Sequence, residues 1–142
     1  MIPATINSKI LQLLSGAGLP TDDLINTQNV VLFAHYEADV LAGVIGIEKC
    51  GQVGLLRSLV VAKRFQGHGI AKKIVEEAEK YASSVGLREL FLLTTTAGEF
   101  FQKQGYSVID RSKAPPAISA TRQFSSLCPS IAKLMYKKLS SN

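Results

Sequence analysis

The sequence predicts a mixed α/β (α+β) fold, with a mainly antiparallel central sheet and helices on both of its faces. Near residue 30 the hydrophobic period changes from that of a helix to that of strands, and β-branched segments with short turns follow. Later in the chain, helices alternate with strands. The 142 residues and the apolar fraction of 46% predict a single domain over residues 1–142, with one hydrophobic core.

The first elements are an amphipathic helix and an antiparallel meander of three strands. Apolar residues from Ile6 to Ala17 lie on one helical face, and a Gly-Leu-Pro segment at residues 18–20 ends the helix. Leu24 and Ile25 indicate the start of a short second helix. Strands are then predicted over residues 30–36, 40–49 and 52–62, and the short turns between them favour antiparallel pairing.

The second half of the chain alternates helix and strand. We expect a helix over residues 70–85, a strand over 89–94, a short helix over 97–104 and a strand over 106–109. A right-handed crossover would place residues 60–61 parallel to residues 90–92. A short helix from Pro115 and Pro116 to residue 124, and a final strand over 131–139, complete the sheet. The predicted buried stripe of the long helix is Ile70, Ile74, Ala78, Tyr81 and Val85.

Composition and charge narrow the classes of protein. The 16 Lys and Arg against 11 Asp and Glu give a net charge of +5, which suits a polyanionic small molecule as well as a nucleic acid. No apolar run is long enough for a transmembrane helix, and the start does not resemble a signal peptide, so we expect a cytoplasmic location. The two cysteines, Cys50 and Cys128, cannot form a disulfide framework or a four-ligand zinc site, and no metal is expected.

The strongest chemical signal is the glycine loop at residues 66–71, Gln-Gly-His-Gly-Ile-Ala, between a strand and the long helix. The N–H groups of a first helical turn have no intrahelical partner, and the helix dipole adds positive potential, so such a turn binds phosphate or pyrophosphate. A glycine-softened loop with solvated lysines is the structural alternative. The surrounding basic residues are Lys63, Arg64, Lys72 and Lys73.

Two named phosphate motifs are excluded. The P-loop pattern GxxxxGK[ST] is absent from the sequence. The dinucleotide pattern GxGxxG/A, counted from Gly67, fails because its sixth position is Lys72. The loop is therefore a different phosphate turn.

Residues 66–71 resemble motif A, [QR]xxGx[GA], of the GCN5-related N-acetyltransferase (GNAT) superfamily. The apolar strand end Leu59-Val60-Val61 lies at the expected distance upstream, and the order of predicted elements along the whole chain is similar to that of the superfamily. Four further segments, at residues 13–20, 56–58, 92–97 and 124–129, resemble the small acetyltransferases of arsenic-resistance operons.

The resemblance implies an acetyl-CoA-dependent N-acetyltransferase with coenzyme A bound between the loop and the bent strand. It implies that the strand pairs with the pantetheine arm like an extra strand, and that the Leu59 N–H polarises the thioester carbonyl. It also implies that motif A amides hold the pyrophosphate. The implied coenzyme contacts are Leu59, Val60, Val61, Gln66, Gly67, His68, Gly69, Ile70 and Ala71.

Two positions depart from the NxxAxxxY pattern of the superfamily. Thr94 stands where an asparagine would be, and its hydroxyl can still bond a pantetheine amide. Phe101 stands where many relatives carry a tyrosine that protonates the leaving thiolate, and is the other implied coenzyme contact. Either another group donates that proton or the thiolate leaves unassisted, which a thiol pKa near 8.5 allows. Helix packing is the structural alternative for Phe101.

The sequence also differs from many superfamily members in the general base. Many relatives carry a glutamate on the bent strand, whereas residues 52–61 of this chain contain no Asp or Glu. Glu48, near the end of the neighbouring strand, is the candidate proton acceptor, acting through a water, unless it is a solvated strand-end carboxylate. His35 and His68 can titrate near neutral pH, but His68 is interpreted as lying over the phosphates and His35 as structural or exposed. Cys128 could line the acceptor pocket.

Strand alternation places Arg57 on the face of Leu55, Leu59 and Val61, where it would point into the acceptor cleft. A guanidinium there suits a carboxylate or another oxyanion, so we expect a small anionic amine such as an amino acid. An interface or surface salt bridge is the alternative for Arg57. Arg122, before the last strand, is the second candidate for binding the anion.

Two functions of other classes compete with the transferase. A non-catalytic acyl-CoA-binding sensor would account for the missing tyrosine and strand glutamate. A nucleic-acid module requires aromatic residues interleaved with basic ones, and only Phe65 lies among the basic residues, so no nucleic-acid partner is expected. No membrane partner is expected either, and the C-terminal segment could form a homodimer contact.

Overall fold

The structure, a computed structural model, describes residues 2–4, 7–19, 29–121, 124 and 132–139. These residues form one mixed, mainly antiparallel sheet of seven strands in the order β1-β2-β3-β4-β5-β7-β6. The strands are β1 (Ile2–Ala4), β2 (Val30–Glu37), β3 (Val40–Cys50), β4 (Val53–Val61), β5 (Glu89–Thr94), β6 (Ser107–Ile109) and β7 (Lys133–Lys138). The helices are α1 (Ser8–Gly16), α2 (Ile70–Ser84), α3 (Gly98–Lys103) and α4 (Pro116–Ser119).

The predicted meander is confirmed, because β2, β3 and β4 pair antiparallel in chain order. The N-terminal strand β1 was not predicted, since three residues around Pro3 are too short to show a period of two. It pairs antiparallel with β2 and extends the sheet. α1 begins at Ser8, after Asn7 caps it by accepting a hydrogen bond from the Ile10 N–H at 2.9 Å. The short helix expected at residues 24–25 lies outside the described residues.

The second half departs from the prediction in strand order and in length. β7 lies between β5 and β6 and pairs antiparallel with both, so the last strand of the chain separates two strands that are close in sequence. α4 ends at Ser119, well before the expected residue 124. β4 and β5 are parallel as predicted, but the pairing joins Val53–Leu55 to Glu89–Phe91. The predicted register of residues 60–61 against 90–92 is wrong.

Helices cover both faces of the sheet, as predicted. α1 packs Ile10 and Leu14 onto one face, and the buried side chains of α2 pack onto the other. The predicted stripe of α2 is partly wrong, since Val85 follows the last helical residue and is 42% exposed, and Tyr81 is only half-buried. The buried residues of α2 are Ile70, Ile74, Val75, Ala78 and Ala82. Among the described residues, no helix is both long and apolar enough to cross a membrane.

Candidate functional site

A wedge-shaped gap opens between β4 and β5. The two strands pair only where Val53–Leu55 meets Glu89–Phe91, yet β4 continues to Val61 and β5 continues to Thr94. Past the paired residues, no strand in the described ranges pairs with the edge of β4 that faces β5. Unpaired strand edges present backbone N–H and C=O groups that bind other extended chains.

A bulge bends β4 inside this gap. Arg57 lies opposite Gly46 and Val60 lies opposite Val44, so Ser58 and Leu59 together face Ile45 alone. Ser58 has a φ of +60°, which is uncommon for a residue other than glycine. The extra residue breaks the ladder locally and increases the bend of the strand. The resemblance implied a bent strand at this position.

The bulge changes which residues share the face of Arg57, so only the Leu55 part of the prediction is confirmed. Because one extra residue reverses the alternation, Arg57 shares its face with Leu55 and Val60, while Leu59 and Val61 pack against the core beneath α2. The prediction that Arg57, Leu59 and Val61 lie on one face is therefore wrong.

Arg57 is buried and paired with a carboxylate. Its side chain is 1% exposed, its Nη1 donates to Glu48 Oε1 at 3.3 Å, and its Nε donates to Ser58 Oγ at 3.4 Å. Gly46 makes room for it, since a Cβ there would lie 3.3 Å from Arg57 Cγ. The guanidinium thus reaches across β3 to Glu48 and does not open directly to solvent. A glycine inside a strand is the sequence signal for this close approach.

Glu48 is distant from the amide predicted to polarise a carbonyl. It lies opposite Leu55, four residues before Leu59, which is about 13 Å at roughly 3.3 Å per residue. Its side chain, 13% exposed, borders a cavity of about 280 Å³. The side chain of Glu48 contacts Arg57 in the structure, and its predicted role as a proton acceptor through a water stays a prediction. The cavity is lined by Asn29, Glu48, Lys49, Cys50, Gly51, Ala117, Ala120 and Thr121.

The glycine loop connects β4 to α2 and is exposed. Gly67 and Gly69 have φ values of +83° and +78°, which glycine adopts without strain, and Gly69 is the N-cap of α2. The Gln66 side chain donates to the Val61 C=O at 2.9 Å and so fastens the loop to the end of β4. This bond holds the loop in place, and the coenzyme contact that the resemblance implies for Gln66 stays a prediction.

The start of α2 presents a row of backbone donors. The first intrahelical hydrogen bond runs from the Lys73 N–H to the Gly69 C=O at 3.1 Å. Within the described part of the chain, the N–H groups of residues 67–72 donate to no protein acceptor. α2 has 15 residues, so the positive end of its dipole also lies here. The exposed basic side chains beside it are Lys63, Arg64, Lys72 and Lys73, and His68 is exposed among them.

The opposite wall of the gap ends at Thr94. Its Oγ1 accepts a hydrogen bond from the Ala97 N–H at 2.9 Å, and the hydroxyl hydrogen remains able to donate. Phe101, in contrast, is 6% exposed and packs edge-on against Phe100 and Tyr106, with ring centroids 5.0 and 5.5 Å away. Phe101 is a core residue beneath α2, which matches helix packing and does not support a contact with the coenzyme.

The other candidates occupy structural positions or lie outside the described residues. His35 is 6% exposed and bonds Glu37 through Nε2 at 2.9 Å. Burial, followed by the Glu48 charge, raises the pKa of the half-buried Cys50 to about 11, so this thiol stays protonated at neutral pH. Arg122 and Cys128 lie outside the described residues. In the part of the chain described, no three His, Cys, Asp or Glu side chains group closely enough to hold a metal ion.

Comparison with known proteins gives one family and several relatives. The sequence profile of the Acetyltransferase (GNAT) family matches residues 13–106. An uncharacterized N-acetyltransferase of Chlorobaculum tepidum is 40% identical over 63 residues, which are 44% of this chain and 40% of that protein. An amino-acid acetyltransferase of Ralstonia nicotianae is 39% identical over 54 residues, 38% of this chain and 12% of that protein. The matched segments thus span two fifths or less of these two relatives.

The fold also matches solved structures. N-acetylglutamate synthase from Neisseria gonorrhoeae, crystallised with coenzyme A and N-acetyl-glutamate, superposes with a TM-score of 0.76 at 16% identity. The match covers 97% of this chain and 35% of that one. At this identity the likeness shows the fold.

Proposed function

The chain belongs to the acetyltransferase (GNAT) family, and we propose that it transfers an acetyl group from acetyl-CoA to the amine of a small acceptor that carries an acidic group. The proposal depends on the gap between β4 and β5 and on the amides at the start of α2 on one side of it, which donate to no acceptor among the described residues. The gap, the amides and the exposed basic residues together fit a long ligand with a polyanionic end and an extended polar arm.

The residues present fit coenzyme A in two parts. The N–H groups of residues 67–71 would bind the pyrophosphate, assisted by the helix dipole and the basic side chains beside them. The edge of β4 at Val60 and Val61, where the Val61 C=O also accepts from Gln66, would pair with the pantetheine arm, and the Thr94 hydroxyl would donate to it from the opposite wall. Bound acetyl-CoA would supply an activated acetyl thioester.

The bulge in β4 supports the role proposed for Leu59. Ser58 and Leu59 are out of register with β3, so their backbone groups are reoriented relative to the ladder. We assign the Leu59 N–H as the donor that polarises the thioester carbonyl, and stabilisation of this type is usually the largest single contribution to acyl transfer. Holding the amine and the thioester in the geometry of attack would supply much of the remaining rate enhancement.

Departure of the thiolate needs no acid from position 101. A phenylalanine buried in the core cannot donate a proton, whereas a thiol with a pKa near 8.5 leaves readily at neutral pH. In the proposed reaction the neutral amine forms the C–N bond, the C–S bond breaks, the thiolate leaves unassisted, and the proton released from the nitrogen passes to solvent water.

The acidic group of the acceptor is assigned to Arg57. This arginine lies directly before the bulge, two residues from Leu59, and its planar guanidinium suits a carboxylate, although its side chain is 1% exposed and so needs Glu48 to move before an acceptor can reach it. Its bond to Glu48 means that the acceptor group would share the guanidinium or exchange with Glu48. The names of the relatives agree with an amino-acid acceptor, since one is an amino-acid acetyltransferase and one structure contains N-acetyl-glutamate. Arg122 stays a second proposed contact.

Thiol release from acetyl-CoA, measured across matched acceptors, tests the proposal. The acceptors are amino acids, their carboxamides and amine-bearing organoarsenicals, which also test the likeness to arsenic-resistance enzymes. We expect kcat/KM to be higher for an amino acid than for its carboxamide, and Arg57→Lys to reduce that preference about tenfold or more, because lysine lacks the bidentate fork. Equal rates with acid and amide in the wild type would contradict the anionic acceptor.

The buried Phe101 favours one alternative, a sensor that binds acyl-CoA without catalysis. Tight binding of coenzyme A in calorimetry with no thiol release on any acceptor is the result expected of such a sensor. Turnover on any acceptor of the panel excludes it.

A further inference from the structure

A cluster of polar side chains outside the candidate site joins α2 to the far strands of the sheet. Glu79 of α2 accepts a hydrogen bond from the Tyr106 hydroxyl at 2.8 Å. The same carboxylate accepts from Lys137 Nζ at 3.1 and 3.2 Å. Lys137 also donates to the Gln104 C=O at 2.8 Å. We call Glu79, Tyr106 and Lys137 the brace.

The brace is largely shielded from water. Tyr106 is 2% exposed, and the side chains of Glu79 and Lys137 are 15% and 29% exposed. Burial, followed by the charge of Glu79, raises the pKa of Tyr106 well above its usual range, so the phenol stays protonated and donates. Gly105 lets the stem of Lys137 pass, because a Cβ at this residue would lie 3.3 Å from Lys137 Cε.

The position of the brace matters because few paired residues of the sheet hold β4 and β5 at a set distance. The strands β1 to β4 form one arm, and β5, β7 and β6 form the other. The arms pair directly only between Val53–Leu55 and Glu89–Phe91. The amides proposed to bind pyrophosphate belong to α2, which follows the first arm, whereas Thr94 belongs to the second. The separation of the two walls therefore depends on how α2 is held against the second arm.

Two kinds of contact hold α2 against the second arm. Apolar side chains of α2 share a core with Leu90, Leu92 and Met135 of the second arm. These contacts are non-directional, so they tolerate small shifts. The brace adds charge-assisted hydrogen bonds, which the Glu79 carboxylate accepts from Lys137 of β7 and from Tyr106 directly before β6, and these fix distance and direction.

We propose that the brace sets the width of the gap between β4 and β5, which makes Glu79, Tyr106 and Lys137 positioning residues for coenzyme A. The inference rests on the proposed binding of coenzyme A. Glu79 itself lies about 13 Å along α2 from Ile70, at roughly 1.5 Å per residue, and so acts through the placement of the walls.

The test is calorimetric titration of the Glu79→Gln variant with two ligands. Coenzyme A spans both walls, whereas adenosine 3′,5′-bisphosphate carries phosphates but no pantetheine arm. The glutamine can still accept from Tyr106 but leaves the Lys137 ammonium without a carboxylate. We expect Kd for coenzyme A to rise about tenfold, equivalent to about 1.4 kcal/mol, and Kd for the bisphosphate to change less than about twofold.

Matched variants separate positioning from loss of charge or stability. Glu76→Gln removes an exposed carboxylate from the same helix and should leave both affinities unchanged. Ile10→Val lowers stability in the core beneath α1, far from the second arm, and should also leave both unchanged. Lys137→Met should weaken binding of coenzyme A as Glu79→Gln does, while Lys137→Arg, which keeps the charge and donors, should restore most of it.

Each result decides the inference. Unchanged affinity of Glu79→Gln for coenzyme A, with a wild type that binds, overturns the role of the brace and leaves the proposed function standing. Equal weakening of both ligands, or weakening in Ile10→Val, also overturns it, because general loss of structure then explains the effect. A wild type that binds no coenzyme A overturns the proposed function and the role of the brace together.

Discussion

Replacing Glu48 by leucine tests the buried ion pair on β3 and β4. The Arg57 side chain is 1% exposed and lies 3.3 Å from the Glu48 carboxylate, whose side chain is 13% exposed. Removing one partner of a buried ion pair costs about 3–5 kcal/mol. We expect the lower value, about 3 kcal/mol, because the guanidinium keeps its bond to Ser58. For a domain of this length, that loss lowers Tm by about 10 °C.

A double-mutant cycle supplies the decisive measurement. Glu48→Leu with Arg57→Met removes both charges and should recover at least half of the loss, since apolar pairs of similar volume replace buried ion pairs well. Stability is measured by urea unfolding, with comparable m-values required for the comparison. Glu76→Leu, at an exposed position of α2, is the control and should change stability by about 0.5 kcal/mol or less. Additive effects of Glu48→Leu and Arg57→Met would refute the coupling.

Three further outcomes follow from single positions. Gly69→Ala should lower the free energy of unfolding by about 1 kcal/mol, because alanine is strained at a φ of +78° even though its Cβ would meet no neighbouring atom. Gly16→Ala in α1 should leave this free energy unchanged or raise it. Thermal unfolding measures both variants, and equal effects would contradict the reasoning. Cys50 should alkylate slowly at pH 8 and faster towards pH 11, as followed by site-resolved mass spectrometry; rapid reaction at pH 7 would contradict the raised pKa. In the folded state, the hydrogen bond with His35 lowers the pKa of Glu37 below its value in the unfolded chain. The ionised Glu37 carboxylate therefore stabilises the fold above the unfolded pKa, and this stabilisation is lost as the pH falls through the folded pKa. The stability advantage of the wild type over Glu37→Gln should therefore shrink in chemical unfolding between about pH 5 and pH 3, and a constant difference would contradict it.

Most elements were predictable because their signals are local. The period of two over residues 30–49 and the 3.6-residue period of α2 are read from neighbouring side chains, and the glycines of residues 66–71 indicate the turn before α2. The strand β1 and the end of α4 were missed, since short elements carry too few residues to show a period. Within the candidate site, the loop and the end of β4 were predicted together, whereas the partners of Arg57 and Gln66 were not.

Local patterns along the chain are enough to predict the fold class, most of the order of helices and strands, and the loop at the start of α2. Long-range pairing sets the place of β7 between β5 and β6, the point at which β4 and β5 separate, and the charges that meet. These features depend on pairing between residues far apart in sequence, and a single extra residue in a strand reverses the faces of those beyond it. The bulge at Ser58 and Leu59 is such a case, because it places Leu59 and Val61 on the face opposite to Arg57, whereas Arg57 precedes the bulge and meets Glu48 on the face it shares with Leu55.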